Sequence, residues 1–281
     1  MNDLEVHRKH YAQLVTAMGG AGGNKDLIAA FTTVRREEYL GSGPWKVRTG
    51  NNYIVTPTKD PTFVYQDVLV ALKSEENLNN GQPSMHASFL NALGVSVGNV
   101  VIHIGTGTGY YTAILAELVG SSGMVYGYEI DDELALLATE NLSGRKNVDI
   151  RNSSGVLSEL PRCDVIYVNA GVTEPVSVWL DALEEKGRVL FPLTSSRGTG
   201  GMLLIQRIDI DSYSAKFISS VGFIDCIGAR EDKTAIELND KFKQGSARAV
   251  RSLQRYNSPD ESCWFNWEKC WLSTNSVEGP K

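Results

Sequence analysis

The sequence offers little for covalent or metal cross-linking: its 281 residues hold only four cysteines and four histidines. Cys163, Cys226, Cys263 and Cys270 are scattered and none forms a CxxC pair, which excludes a zinc ribbon or a dithiol redox centre. Four free thiols in a reducing compartment are expected, and no metal. Positive charge is also short, with 27 Lys+Arg against 33 Asp+Glu and a formal net charge of -6. That balance gives no long-range attraction to phosphates or anionic lipid, so neither nucleic acid nor a membrane is an expected partner. No run approaches the roughly 18 apolar residues of a membrane span, and the opening MNDLEVHRKHYAQLV lacks a signal-length apolar stretch. A soluble, cytoplasmic protein is expected, with the oligomeric state open.

What is present is ordinary globular usage, 42% hydrophobic and 21% charged, enough to bury a core and too apolar for a disordered chain. The middle of the chain is the most patterned part. Val100–Ile104 is a β-branched run of the kind a covered parallel strand shows, followed by Gly105-Thr106-Gly107-Thr108-Gly109 and by apolar positions at helical spacing from Tyr111 to Val119. Strands at Met124–Ile130, Val148–Arg151, Asp164–Asn169 and Arg188–Phe191 then alternate with helices at Asp131–Leu142 and Pro175–Leu183. Such alternation predicts an α/β class, with a doubly wound, mostly parallel sheet. Gly201–Arg207 and Ala215–Phe223, with a polar turn between them, predict an antiparallel hairpin at the sheet edge. Residues 1–30 are expected to be helical and 41–62 to be loop. A polar C-terminal stretch has a helix between Ala235 and Leu253 and an aromatic cluster of Trp264, Phe265, Trp267 and Trp271. That cluster packs back on the domain or meets a partner.

The glycine loop carries the chemistry. Between a strand and a helix, glycines let backbone N–H groups approach a ligand closely. Dinucleotide sites need a small residue at position 110, which here is Tyr110, and no G-K-[ST] follows for a nucleoside triphosphate. Glu129, 24 residues past Gly105 at the end of the next strand, suits a ribose diol, although an acid there can also be a helix cap. Together these favour S-adenosylmethionine over NAD.

On these residues the chain resembles the protein-L-isoaspartate O-methyltransferase family, a class I S-adenosylmethionine-dependent methyltransferase group. Val101–Tyr110 looks like its cofactor loop. Cys163–Gly171 and Gly187–Leu193 look like its fourth and fifth strands, Val34–Tyr39 and Tyr65–Asp67 like its N-terminal segment, and Pro83-Ser84-Met85-His86-Ala87 like its P-H-M-H-A motif. The resemblance implies three regions: 1–90, an N-terminal cap and substrate loop; 91–230, a cofactor-binding core with a Rossmann-like fold; and 231–281, a C-terminal extension packed on the core. It implies cofactor contacts from His103, Gly105, Thr106, Gly107, Thr108, Gly109, Glu129, Ile130, Ser154, Gly155 and Asn169.

Three departures bear on activity. The family's substrate loop reads T-I-S-A-P-H-M-H-A, and its serine position holds Gly81, with Asn80 in place of isoleucine and Ser84 in place of the first histidine. The family's G-D-G after the third strand appears as Ser153-Ser154-Gly155, and its acid at the end of the first strand is His103. The candidate catalytic residues are therefore His86, Gln82 and Asn80. His86 either orients an acceptor or is a first-turn helix residue; Asn80 and Gln82 either bind an acceptor or make a turn; Asp67 is expected to brace the loop. His103 either touches the cofactor's methionine portion or is a satisfied core histidine. Methylation of a peptide, protein or small-molecule carboxylate is the expected reaction, with weak activity on generic isoaspartyl peptides that Gly81→Ser should raise. The alternatives are a methyltransferase of a specialised peptide or small molecule, a non-catalytic cofactor-binding adaptor, and, least favoured, a nicotinamide oxidoreductase.

Overall fold

The computed structural model describes residues 3–73, 75, 78–157 and 159–277. The chain opens with α1 (Asp3–Met18) and α2 (Lys25–Thr33), the latter capped by Asn24, whose side chain accepts from the Leu27 N–H. Two short antiparallel pairs follow: β1 (Lys46–Thr49) with β2 (Asn52–Val55), and β3 (Ala71–Lys73) with β4 (Leu78–Asn79). The first lies inside the stretch expected to be loop. Of its eight strand residues only Val47 is buried, so there is no apolar alternation for a sequence reading to find. Next, α3 (Pro83–Leu93) begins with proline at its first turn and ends at Gly94, which takes the left-handed conformation at φ +59°.

The alternating region comprises β5 (Val100–Ile104), α4 (Tyr110–Val119), β6 (Met124–Glu129), α5 (Asp132–Leu142), β7 (Val148–Asn152), β8 (Cys163–Val168), α6 (Ser177–Ala182) and β9 (Leu183–Thr194). It is followed by β10 (Thr199–Arg207), β11 (Ser212–Gly222), α7 (Asp232–Lys243), β12 (Ser252–Arg255), β13 (Cys263–Asn266) and β14 (Cys270–Ser273). Strand β9 is longer than Arg188–Phe191. Its register against β8 slips between Leu183 and Arg188, and the polar residues Glu184, Glu185 and Lys186 in that slip hide the strand's beginning.

The chain forms two compact units, one of Met1–Asn99 with Thr106–Asn152 and one of Val100–Gly105 with Ser153–Lys281. In the first, β6 and β7 pair in parallel, and nine of the ten residues of α4 are buried, as an all-round apolar helix requires. Its N-terminal helices contribute an aromatic cluster in which Phe31 meets Tyr11 at 6.2 Å and Tyr110 at 6.3 Å, both edge-on.

In the second unit the strand order is β13-β14-β12-β11-β10-β9-β8-β5. The parallel part, β5 with β8 and β8 with β9, gives way to antiparallel pairing from β9 onward. The β10–β11 hairpin is present and is not the last element, because β12 pairs with β11 and carries β14 and β13 beyond it. The C-terminal tryptophans are buried there: Trp267 donates to the Thr173 carbonyl at 2.8 Å, and Trp264 packs on Phe217 at 5.3 Å. All four cysteines are free thiols. No helix among the described residues is long and apolar enough to cross a membrane.

Candidate active site

In the first unit, Thr106–Gly109 leads into α4. Gly107 at φ +55° and Gly109 at φ +95° hold conformations that favour glycine, and a β-carbon on Gly109 would fall 2.7 Å from Leu142 Cδ1. Glu129, at the end of β6, is almost fully buried. Its Oε2 accepts from the Gly107 N–H at 2.7 Å, and its Oε1 from the N–H groups of Ile130 at 3.0 Å and Asp131 at 3.1 Å. Burial raises its carboxyl above the ordinary range, while the three backbone donors pull the other way. The cap of α5 is Asp131, which accepts from Leu134, so Glu129 is not a helix cap. A carboxylate has about four acceptor positions. With three taken by the backbone, Glu129 keeps room for a hydroxyl beside the loop, which fits a ribose.

The other loop positions divide. Thr106 is buried and its N–H reaches the Tyr128 carbonyl at 3.4 Å. The Thr108 hydroxyl donates to the Tyr39 carbonyl at 2.6 Å, so it anchors the loop from behind. Ile130 stays 44% exposed, a large apolar side chain next to the Glu129 carboxylate. Tyr110 sends its ring into the N-terminal aromatic cluster, its hydroxyl 3.2 Å from that of Tyr11. That is where the bulk incompatible with a dinucleotide fingerprint goes.

The segment 79–86 is also in the first unit. The Asn79 side chain accepts from the Gly81 N–H at 2.9 Å, a turn that Gly81 completes at φ +75°. Asp67 braces the next residues, with Oδ1 accepting from the Ser84 N–H at 2.8 Å and Oδ2 from the Gln82 amide at 2.8 Å and the Ser84 hydroxyl at 2.7 Å. His86 is buried in the first turns of α3 and stacks on Tyr111, with ring centroids 3.6 Å apart and planes 8° from parallel.

A β-carbon on Gly81 would lie 2.1 Å from His86 Nε2. The imidazole occupies the space of a side chain at 81, which overturns the expectation that Gly81→Ser alone raises activity. The new group would collide with a ring held against Tyr111.

Asn80 is engaged by a residue that the sequence reading did not single out. Arg36 is fully buried; its Nε and Nη2 donate to Asn80 Oδ1 at 3.3 and 3.1 Å. Its remaining donors go to the carbonyls of Val64, Gln66 and Val68 at 2.7 to 2.8 Å, and its guanidinium lies 5.8 Å from the ring centroids of Tyr11 and Tyr110. Charged residues are rarely fully buried, and partners that are backbone carbonyls leave no trace in side-chain spacing. Only its place in the Val34–Tyr39 resemblance pointed to it.

In the second unit, His103 lies fully buried on β5, stacked on Tyr167 at 5.4 Å with planes 10° apart. Burial lowers its pKa to about 3, so the ring is neutral at physiological pH. Asn169, just past β8, continues the parallel ladder by donating its N–H to Ile104 O at 2.9 Å. Its Nδ2 lies 2.8 Å from His103 Nε2, and its Oδ1 is buried without a donor among the described residues. Gly105, at φ +76°, packs against Asn169, whose Cβ is 3.5 Å from where a glycine β-carbon would stand. Gly155 packs on Ile104, leaving no room for a β-carbon, and its carbonyl accepts from Trp179 Nε1 at 2.8 Å. Ser154 Oγ accepts a long 3.3 Å bond from the Val156 N–H. The unpaired Asn169 oxygen beside the first glycine fits a ligand carrying a hydrogen-bond donor, as an amino-acid-bearing nucleoside does.

A profile of the family described as protein-L-isoaspartate(D-aspartate) O-methyltransferase matches residues 50–231. The protein-L-isoaspartate O-methyltransferase of Brucella anthropi is 31% identical over 205 residues, which cover 72% of this chain and 85% of the relative. That of Thermotoga maritima is 32% identical over 178 residues; the match covers 61% of this chain and about half, 51%, of that relative's length. Among solved structures, a protein-L-isoaspartate O-methyltransferase aligns with a TM-score of 0.66 at 25% identity, covering 83% of this chain and 69% of that one. A Plasmodium falciparum structure assigned to the same activity, in complex with S-adenosyl-L-homocysteine, aligns at 0.63 with 20% identity, over 78% of this chain and 97% of that one. At that identity the second likeness concerns the fold alone.

Proposed function

The chain belongs to the protein-L-isoaspartate(D-aspartate) O-methyltransferase family, and from this premise we propose that it is an S-adenosylmethionine-dependent O-methyltransferase acting on a carboxylate in the manner of isoaspartyl methyltransferases. The observation that carries the reading is the Glu129 carboxylate, fixed against the Gly107 N–H at 2.7 Å with an acceptor position to spare. In this reading Glu129 receives a ribose hydroxyl and the glycine loop admits the ligand backbone-first.

When bound, S-adenosylmethionine supplies a methyl group on a positively charged sulfur, a donor that is already activated. An acceptor carboxylate is ionised at neutral pH, so the chain needs no general base. Its task is to hold the acceptor oxygen in line and to exclude water. Asn80 and Gln82 serve that task by shaping the turn, one bound to Arg36 and the other to Asp67, which leaves His86 as the residue of this loop that meets the acceptor. A buried imidazole where a side chain at 81 would stand gives the acceptor pocket a shape of its own, and generic isoaspartyl peptides should be poor substrates beside a narrower carboxylate-bearing acceptor. The expected setting is the cytoplasm, consistent with four free thiols. Calorimetry tests the cofactor: S-adenosylhomocysteine binding to the wild type with NAD excluded supports the reading, and NAD binding in its place refutes it.

A further inference from the structure

The inference drawn here rests on the cofactor reading above and assigns a task within it to His103 and Asn169. Asn169 has a two-ended amide: one end faces a histidine and the other has no hydrogen-bond partner among the described residues. His103 is held neutral by burial, and the tautomer with its proton on Nδ1 makes Nε2 the acceptor for Asn169 Nδ2 at 2.8 Å. The opposite end of the amide is then Oδ1, which is buried and has no donor among the described residues. Buried acceptors are almost always paired, and one left unpaired carries a desolvation cost. The oxygen lies on the residue that packs against Gly105, the first glycine of the cofactor loop. The chemistry it lacks is an N–H donor, and a cationic one is favoured because hydrogen bonds to charged groups are the stronger kind. In S-adenosylmethionine that group is the α-ammonium.

We propose that Asn169 Oδ1 accepts a hydrogen bond from the α-ammonium of S-adenosylmethionine, and that His103 is the positioning residue that turns the amide to present its oxygen. The pair does without a carboxylate at this end of the ligand. His103 stacks on Tyr167 and is itself fully buried, so it sets the amide from behind without contacting the ligand.

The test is calorimetry on the full chain with two probes, S-adenosylhomocysteine, which carries the ammonium, and methylthioadenosine, the same nucleoside without the amino-acid portion. Asn169→Leu should weaken S-adenosylhomocysteine by roughly 10- to 150-fold, the range for a hydrogen bond to a charged group, and leave methylthioadenosine within about threefold. Asn169→Asp keeps an acceptor and should retain S-adenosylhomocysteine; a loss as large as that of the leucine variant would mean that the amide nitrogen makes the contact, and overturns the proposal. His103→Phe keeps an aromatic ring and should lose affinity for S-adenosylhomocysteine only. His103→Gln, whose carbonyl can accept from Nδ2, should restore it, which a merely structural role would not do. The loss caused by His103→Phe should be the same at about pH 5 and at about pH 8, because the ring does not titrate between them. Equal losses for both probes, or none, overturn the proposal while leaving the cofactor reading intact. A folded wild type that binds neither probe refutes the cofactor reading itself.

Discussion

Adding a single methyl group at Gly81 gives a sharp test of the acceptor loop. The β-carbon of Gly81→Ala would lie 2.1 Å from His86 Nε2, so the imidazole must retreat by more than about 1 Å to reach an ordinary contact. It cannot do so in place, because its ring is stacked on Tyr111 at 3.6 Å. Losing the stacking costs about 0.5–1.5 kcal/mol, and an L-residue at φ +75° costs about 1–2 kcal/mol more. The expected destabilisation is therefore about 2–3 kcal/mol by urea unfolding. In a cycle with His86→Ala, the double variant should be at least about 1 kcal/mol more stable than the sum of the two losses, since the collision exists only when both side chains are present. Strict additivity, or a Gly81→Ala variant as stable as the wild type, would show that the imidazole does not occupy that space.

Other positions give independent outcomes. Glu129→Gln loses the charge-assisted bond to Gly107 and should weaken S-adenosylhomocysteine by about 1.5–3 kcal/mol in a calorimeter. The amide nitrogen also leaves at least one of the three backbone N–H donors without an acceptor, so the same variant should unfold earlier than the wild type, by about 1–3 kcal/mol in urea at pH 7. His103 makes stability depend on pH: the unfolded chain takes up a proton below about pH 6.5 and the folded chain only near the lowered value of about 3. Stability should fall with pH through that window, by about 2 kcal/mol between pH 6.5 and 5, and His103→Gln should remove that part of the slope in pH-dependent urea unfolding. Trp267→Ala removes a buried indole and its bond to Thr173, and should cost about 3–5 kcal/mol in thermal denaturation.

What the sequence discloses depends on whether a side chain's role has a period or a spacing. Strands β5, β6 and β8 and helices α4 and α5 are legible because apolar runs and helical spacing report burial directly, and the glycine loop with Glu129 is legible because its positions are fixed by chain distance. The β1–β2 hairpin is not, because it buries only Val47. The C-terminal strands are four residues each, too short to show a period, and their tryptophans signal burial without direction. At the acceptor loop, reading Gly81 as a missing hydroxyl identifies the right position and misses its consequence. Only three-dimensional structure reveals that His86, five residues on, fills the gap, and that Asn80 is held by an arginine from 44 residues upstream.

The central claim, methyl transfer to a carboxylate, is tested most directly with S-adenosylmethionine labelled in its methyl group, offered with isoaspartyl peptides and with the peptides and metabolites of a cell extract. Carboxyl methylation predicts label released by mild base, as a methyl ester requires, in an acceptor that loses the label when Glu129→Gln replaces the wild type. Label that is stable to base, or no transfer to any acceptor by a folded protein that binds S-adenosylhomocysteine, would contradict it.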